Sequence, residues 1–209
     1  MKFENLTRTR HEYVDNETDW TWIKSDSGAW DGPKSDWEQS HKIKYMKYLK
    51  NNDVVVTAGA NQGMYARLYA NYFKSVYAFE PDPLNFHCMV MNTQRDNIIK
   101  MQAALGSEPG FITVNRLTME NTGMHTVSNG GIIPILTLDS FNFNVLNLLQ
   151  LDVEGYEIEV IKGGVHTINR LKPVIVLERG RHPDVLSAMM GINYRPVDDS
   201  SMDTVFVSC

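Results

Sequence analysis

The chain has 209 residues, of which 43% are hydrophobic and 22% are charged, and its formal net charge is −5. This size and composition fit one well-cored domain and exclude a chain that is disordered throughout. The acidic balance argues against a nucleic-acid partner, because proteins that grip a phosphate backbone carry a basic patch.

Cysteine usage and the N-terminus indicate the compartment. The two cysteines, Cys88 and Cys209, have no paired or metal-ligand spacing, which is typical of a reducing environment. The opening stretch MKFENLTRTRHEY contains no apolar run, so no secretory signal is expected. No stretch approaches 18 uninterrupted apolar residues, about the length of a membrane span. We therefore expect a cytoplasmic protein without a membrane partner.

Residues 1–52 form an aromatic-rich segment that we assign to the same domain as residues 53–209. All four tryptophans lie in it, namely Trp20, Trp22, Trp30 and Trp37. Ser35 and Glu38 form a capping box, which predicts a helix from 36 to about 49. The tryptophans are expected either to cover apolar surface of the main domain or to form a lid that stacks on a substrate ring.

From residue 53 onward, short β-branched runs alternate with helical stretches. Strands are predicted at 54–57, 76–80, 98–103, 147–152 and 174–178, and helices at 64–73, 83–95, 158–168 and 184–190. Such alternation predicts right-handed crossovers and a mostly parallel sheet with helices on both faces. The strands are continuous apolar runs, as expected when both faces of a sheet are covered.

Two regions depart from this alternation. Residues 111–115 and 132–137 have strand character, and the polar segment 119–131 between them is predicted as a loop. Near the C-terminus, strands at 194–197 and 204–207 are joined by residues 198–203. This link is too short for a parallel crossover, so the pair is predicted to be antiparallel.

The glycine-containing loop Gly59-Ala60-Asn61-Gln62-Gly63 lies directly between the first predicted strand and helix of the main domain. Glycines let the backbone approach a ligand closely, and asparagine tolerates a left-handed conformation. Glu80 ends the next strand, about 20 residues later, where an acidic side chain accepts hydrogen bonds from ribose hydroxyls. NAD and S-adenosylmethionine both fit this pattern. The loop lacks a GxGxxG fingerprint and the chain leaves no second domain, which favours S-adenosylmethionine.

Five segments in this order resemble the FkbM family of class I methyltransferases: GANQG at 59–63, FEPDPLNF at 79–86, AALG at 103–106, LQLDVEGYEIEVIKGG at 149–164 and KPVIVLE at 172–178. The resemblance covers roughly residues 53–209. It implies a Rossmann-like α/β fold, with a mostly parallel seven-stranded sheet closed by a C-terminal antiparallel hairpin. The order Glu80-Pro81-Asp82-Pro83 and the short N-terminal extension are also similar to small members encoded by bacteriophages, which would act in the host cytoplasm.

The resemblance implies a site for S-adenosylmethionine, which leaves as S-adenosylhomocysteine. The residues implied to contact it are Thr57, Gly59, Ala60, Asn61, Gln62, Gly63, Glu80, Pro81, Asp82, Ala103 and Asp152. The loop would wrap the methionine end, Glu80 would hold the ribose, and Pro81, Asp82 and Ala103 would lie along the adenine. Many members have an aspartate where this chain has Thr57, whose hydroxyl carries no charge to support the amino group of the cofactor.

Four candidates for the transfer step lie at or beyond the carboxyl ends of strands, where open sheets bind ligands: Asp152, Glu154, Glu178 and His182. Methyl transfer to an alcohol needs the nucleophile aligned with the C–S bond and a base for its proton. His41 is a further candidate in the N-terminal segment.

Each candidate also has a structural interpretation. Asp152 would contact the cofactor without taking part in the transfer step, and Glu154 would cap the following helix. Glu178 would form an ion pair with Arg179 or Arg181, and His182 would be a plain surface residue. The carboxylates would offer ligands to a divalent ion, but their spacing is not a ligand signature, so no metal site is predicted.

The leading hypothesis is an O-methyltransferase that acts on a small hydroxylated molecule or saccharide. Nucleic-acid methylation is an alternative, opposed by the acidic charge and by DVEG standing where an NPPY-type segment would follow the fourth strand. A cofactor-binding module without transfer activity is another, which Thr57 keeps open. The acceptor and the oligomeric state are not predicted.

Overall fold

The computed structural model describes residues 6–10, 19–23, 26, 45–118, 124–200 and 203–209. The strands are β1 (Leu6–Arg10), β2 (Asp19–Ile23), β3 (Val54–Ala58), β4 (Ser75–Phe79), β5 (Ile98–Met101), β6 (Ala104–Leu105), β7 (Gly110–Asn115), β8 (Thr126–Asn129), β9 (Ile133–Leu136), β10 (Leu148–Leu151), β11 (Val174–Glu178), β12 (Tyr194–Ser200) and β13 (Asp203–Ser208). The helices are α1 (Met64–Tyr69), α2 (Pro83–Asn92), α3 (Glu157–Lys162), α4 (Val165–Leu171) and α5 (Pro183–Gly191), with 3₁₀ turns at Tyr45–Tyr48 and Leu138–Phe141. Among these residues no helix is long and apolar enough to cross a membrane.

The main sheet has seven strands in the order β12-β13-β11-β10-β3-β4-β5. Strands β11, β10, β3, β4 and β5 run parallel to one another. Strand β13 runs antiparallel to both β11 and β12. The predicted mostly parallel sheet with a C-terminal antiparallel hairpin is therefore confirmed.

Helices cover both faces of this sheet. Consecutive residues of a strand point to opposite sides, so each strand contributes side chains to both layers. On one face Val56, Leu149 and Leu177 pack with residues of α3, α4 and α5. On the other, Val55 and Val176 pack with residues of α1 and α2. All four residues of β10 are buried as a result, which explains why three of them are leucines.

A second sheet, in the order β6-β9-β7-β8, is inserted between β5 and β10. The predicted third strand at 98–103 ends early, because Ala104 and Leu105 leave the main sheet to pair with Ile135 and Leu136. The prediction of a loop over 119–131 was wrong for Thr126–Asn129, which forms β8 against β7. Residues 119–123 lie outside the described ranges.

The single helix predicted over 158–168 is two helices, α3 and α4, which meet at Gly163 and Gly164. A Cβ on Gly163 would lie 1.9 Å from the carbonyl oxygen of Gly106, and one on Gly164 would lie 2.8 Å from Leu138 Cδ2. The helix therefore breaks where the chain passes against two neighbouring segments. The helix predicted over 64–73 is also shorter, since α1 ends at Tyr69 and a turn follows.

The N-terminal segment adds an antiparallel pair, β1 and β2, that was not predicted. Asn92 of α2 binds Thr21 of β2 twice: its Oδ1 accepts from the backbone N–H at 2.6 Å, and its Nδ2 donates to the carbonyl at 2.9 Å. Trp20 is 5% exposed, with the Arg67 guanidinium 4.7 Å from its ring centroid. Trp20 thus covers the main domain, as one of the two interpretations expected.

Other expectations for this segment fall outside the described residues. These are Trp30, Trp37, His41, the Ser35–Glu38 capping box and the side chain of Trp22. Of the helix predicted over 36–49, the described end, Tyr45–Tyr48, is a 3₁₀ turn. It is held to the C-terminal hairpin by Asp198, whose carboxylate lies 2.7 Å from Lys47 Nζ and accepts from the Tyr48 hydroxyl at 3.1 Å.

Candidate active site

The glycine-containing loop follows β3 and is held close to β10. Gly59 has φ +78, and a Cβ there would lie 1.7 Å from the carbonyl oxygen of Asp152. No other residue type fits this position without moving the backbone. The N–H groups of Gly59 and Ala60 both donate to the carbonyl of Phe79, at 3.1 and 2.9 Å. Asn61 is left-handed, with φ 48, so the loop turns sharply over the end of the sheet.

Glu80 follows β4 and is 5% exposed. Its Oε2 accepts from the backbone N–H of Asn61 at 2.7 Å, and its Oε1 accepts from that of Asp82 at 2.8 Å. Burial raises the pKa of Glu80 to about 7, against the lowering effect of these two donors. A carboxylate has about four lone-pair sites, so Glu80 retains capacity to accept hydrogen bonds from a ligand.

Asp82 was expected to shape the adenine side of the site. In the structure its carboxylate stabilises the start of α2 and binds two basic side chains. It caps α2 by accepting from the N–H groups of Leu84 and Asn85. Arg116 Nε lies 2.6 Å from its Oδ2, and His125 Nδ1 lies 3.3 Å from the same oxygen. Burial acts to raise the pKa of Asp82, but His125, Arg116 and the Leu84 N–H outweigh it and hold the pKa well below its usual range.

A cavity of about 450 Å³ opens at the carboxyl ends of the parallel strands. This volume lies within the range of small-molecule sites. Every residue predicted to contact the cofactor lines the cavity except Thr57 and Gly63. The position at strand ends is where open α/β sheets bind their ligands.

Thr57 and Gly63 support the site from outside the cavity. The Thr57 hydroxyl donates to Gln150 Oε1 across the β3–β10 pair, and both side chains are buried. The hydroxyl is therefore engaged inside the sheet. Gly63, with φ 94, begins α1. A Cβ there would lie 2.8 Å from Thr93 Cγ2, so glycine lets α1 pack on α2.

Three of the four candidates for the transfer step meet at one end of the cavity. Asp152, Glu154 and Glu178 each place a carboxylate oxygen within 4.8 Å of the others. Glu154 is left-handed, with φ 51, and its Oε2 lies 3.3 Å from Arg179 Nη2. Burial and the neighbouring Glu178 raise the pKa of Glu154. These carboxylates offer a proton acceptor, and they are also the described residues that could hold a divalent cation, a grouping that their sequence spacing did not indicate.

His182 does not join this group. It does not line the cavity, its side chain is 59% exposed, and its Nδ1 lies 3.8 Å from Asp184. The predicted ion pair of Glu178 with an arginine is also not seen: Arg179 pairs with Glu154, and Arg181 pairs with Asp199 at 2.6 Å.

Several cavity residues were not predicted from the sequence, namely Asp26, Tyr65, His125, Tyr156 and Arg179. Tyr156 and Arg179 are each one or two residues beyond a predicted candidate, so the strand-end rule could have included them. Asp26 and His125 come from segments without a recognisable element pattern. Nothing in their local sequence indicates that they reach the cavity.

Residues 57–196, more than half of the chain, match the model of the methyltransferase FkbM domain. The chain belongs to the FkbM methyltransferase family. Hexuronic acid methyltransferase AglP of Haloferax volcanii is 30% identical over 139 residues, which cover 63% of this chain. The chain spans only 58% of the length of that relative.

Solved structures support the same fold. The FkbM methyltransferase of Methylobacillus flagellatus KT superposes with a TM-score of 0.53 and 16% identity, over 75% of this chain and 43% of that one. The precorrin 8w decarboxylase of Methanobacterium thermoautotrophicum superposes with a TM-score of 0.54 and 13% identity, over 96% of this chain and 99% of that one. At such identities the likeness establishes a methyltransferase-type α/β fold and not a shared substrate.

Proposed function

We propose that this chain transfers a methyl group from S-adenosylmethionine to a hydroxyl of a saccharide. The observation that carries the proposal is the cavity at the strand ends. It places the glycine-containing loop, the Glu80 carboxylate and the Asp152–Glu154–Glu178 carboxylates along one continuous surface. The groups proposed to bind the cofactor and those proposed to accept the proton therefore line the same cavity.

The charge of the cavity favours this cofactor over a dinucleotide. Its acidic lining residues are Asp26, Glu80, Asp82, Asp152, Glu154 and Glu178, against Arg179 and His125 as basic ones. A sulfonium and an ammonium group are attracted by such a surface, whereas the pyrophosphate of NAD is repelled. In the proposed arrangement Glu80 accepts from the ribose, Gly59 to Gln62 surround the methionine end, and Pro81 and Ala103 border the adenine.

When bound, S-adenosylmethionine supplies a methyl group on a positively charged sulfur. The glycine-containing loop and Glu80 would hold it, the acceptor hydroxyl would take the methyl group with S-adenosylhomocysteine as the leaving group, and a carboxylate of this chain would accept the proton of that hydroxyl. Asp152 is the proposed proton acceptor, because its backbone packs on Gly59 of the cofactor loop. Glu154 and Glu178 surround it and help to orient the hydroxyl. A positioned base of this kind typically raises the reaction rate by about 10²- to 10⁴-fold.

A saccharide acceptor is supported by the hexuronic acid named for the Haloferax volcanii relative. Nucleic acid is the less favoured acceptor, because a chain with net charge −5 and an acidic cavity repels a backbone with a phosphate at every nucleotide, whereas a saccharide carries fewer charges or none. Location in the cytoplasm and an origin in a bacteriophage stay predictions from the sequence.

The test is transfer of radiolabelled methyl from S-adenosylmethionine to uronic-acid-containing and neutral oligosaccharides, with RNA and DNA as comparison acceptors. Label in a saccharide, lost in Asp152→Asn, supports the proposal. Label in nucleic acid alone would show that the acceptor is a nucleic acid and not a saccharide. Tight cofactor binding without transfer to any of these acceptors would instead favour the module without transfer activity.

A further inference from the structure

Asp26 lies outside the segment that matches the family model, yet it lines the cavity. Only 3% of the residue is exposed. Its Oδ2 accepts a hydrogen bond from Gln62 Nε2 at 2.8 Å. A buried carboxylate is costly unless it is hydrogen-bonded, and Gln62 is one of the groups that hold Asp26 at the cavity.

The contact between Asp26 and Gln62 is part of a built junction between the N-terminal segment and the loop. Gln62 Oε1 accepts from the backbone N–H of Ile23 at 3.4 Å. Asn92 Nδ2 donates both to the Gln62 carbonyl at 2.8 Å and to the Thr21 carbonyl at 2.9 Å. The junction fixes Asp26 relative to the loop, because strand and loop share the same partners.

The neighbours of Asp26 place it at the Glu80 end of the cavity. Gln62, which binds Asp26, directly follows Asn61, whose N–H donates to Glu80 Oε2. Ile23, three residues before Asp26, packs with Leu84 in the first turn of α2, and α2 begins just beyond Glu80. The Asp152–Glu154–Glu178 carboxylates instead follow β10 and β11.

We propose that Asp26 is a second acidic acceptor for the ribose hydroxyls of the cofactor, beside Glu80. This inference rests on the proposed function, since it requires an adenosyl cofactor in the cavity. Two adjacent hydroxyls on a ribose offer two donors, and two carboxylates tied to consecutive loop residues offer the matching acceptors. The N-terminal segment thereby completes the cofactor site.

The test measures the affinities of S-adenosylhomocysteine, its 2′-deoxy and 3′-deoxy analogues, and adenosine for the full chain by calorimetric titration. Asp26→Ala should lower the affinity for S-adenosylhomocysteine about tenfold or more, the usual effect of losing a charged hydrogen bond. The loss should shrink to less than about threefold for the one analogue that lacks the hydroxyl bound by Asp26. Adenosine should lose as much affinity as S-adenosylhomocysteine.

Asn92→Ala is the matched control, because it loosens the same junction without changing the cavity carboxylates. Its effect on affinity should be equal for all ligands. Asp26→Asn, which keeps the shape of the side chain, serves if Asp26→Ala fails to fold. An equal loss for both deoxy analogues, or no loss, overturns the inference. A loss for S-adenosylhomocysteine but not for adenosine would overturn it too, by placing Asp26 at the ammonium. If the unaltered chain does not bind S-adenosylhomocysteine, the proposed function itself fails.

Discussion

Single residues set the chemistry of the cavity, and Glu80 shows how. Both of its carboxylate oxygens accept backbone N–H groups, yet burial still raises its pKa to about 7. A ribose hydroxyl is a donor, so it is bound best by the ionised carboxylate. If Glu80 holds the ribose as proposed, protonation near neutral pH removes the form that binds it best.

Affinity for S-adenosylhomocysteine should consequently fall as the pH is lowered from about 8.5 to about 5.5, through the raised pKa of Glu80. Glu80→Gln should remove most of this dependence and weaken binding at high pH by about 1.5–3 kcal/mol. Titration calorimetry across this range measures both effects. A pH-independent affinity in the unaltered chain would show that Glu80 does not carry the ribose contact.

Asp152 is tested by a change that keeps its shape. Asp152→Asn should lower the turnover number by about 10²-fold or more, with cofactor affinity nearly unchanged, if Asp152 takes the acceptor proton. Glu178→Gln is the matched variant in the same carboxylate group and should cost less. If Asp152→Asn weakens cofactor binding and saturating cofactor restores turnover, Asp152 holds cofactor instead. Full activity would move the proton acceptor to Glu154 or Glu178.

Gly59 is tested against another glycine with positive φ. Gly130 has φ +87 and nothing within 4 Å of a built Cβ, whereas a Cβ on Gly59 would collide with the Asp152 carbonyl. Gly130→Ala should cost about 1–2 kcal/mol of unfolding free energy, from the left-handed backbone alone. Gly59→Ala should cost more and abolish cofactor binding. Equal costs in denaturant unfolding would mean that the loop moves away freely.

At the scale of elements, an ion cluster joins the inserted sheet to α2. Asp82 caps α2, Arg116 follows β7, and His125 precedes β8. His125 Nε2 also lies 3.2 Å from the carbonyl of Thr118. Burial acts to lower the pKa of His125, but Asp82 and the Thr118 carbonyl outweigh it, so the net shift is upward. The cluster holds the β7–β8 edge at the cavity.

This shift predicts how stability depends on pH. Because the folded-state pKa of His125 is raised above about 6.5, its contribution is fully present below that pH. The contribution is lost as the pH rises through the raised value. His125→Gln should therefore lower the free energy of unfolding by about 1 kcal/mol near pH 6 and by less near pH 8, as measured by denaturant unfolding. The figure is already reduced for the partial exposure of the side chain.

The pH dependence of stability that Glu80 causes must be separated from the one that His125 causes. The raised pKa of Glu80 also makes stability fall with rising pH, between the usual glutamate value of 4.5 and about 7. The His125→Gln comparison is therefore repeated in a Glu80→Gln background, where the change above about pH 6.5 should persist. A cost of His125→Gln that does not vary with pH would contradict a charged His125 in the cluster.

Elements were predictable from the sequence where packing imposes a repeating pattern. Parallel strands covered on both faces, such as β11, are mostly apolar, and the short link before β13 forces an antiparallel pair. The break at Gly163 was not predictable, because it depends on Gly106, far away in the sequence. Likewise the contacts of Asp82 with Arg116 and His125, and of Asp26 with Gln62, arise only when the fold brings distant segments together.

For the whole molecule, the described parts of the N-terminal segment pack on the main domain at two places. Strand β2 packs on α2 through Asn92, and Tyr45 donates to Asp203 of β13 at 3.2 Å. The segment therefore reaches both the cofactor loop and the C-terminal hairpin. The strand-end cavity is acidic in a chain that is acidic overall, which favours a cationic cofactor and disfavours the phosphates of a nucleic acid.

Binding of an adenosyl cofactor in the strand-end cavity is tested most directly by calorimetric titration of the full chain with S-adenosylmethionine, S-adenosylhomocysteine and NAD. We expect one site per chain for each adenosyl ligand, weakened in Glu80→Gln, and no binding of NAD. Tight binding of NAD with none of S-adenosylmethionine or S-adenosylhomocysteine would contradict the account.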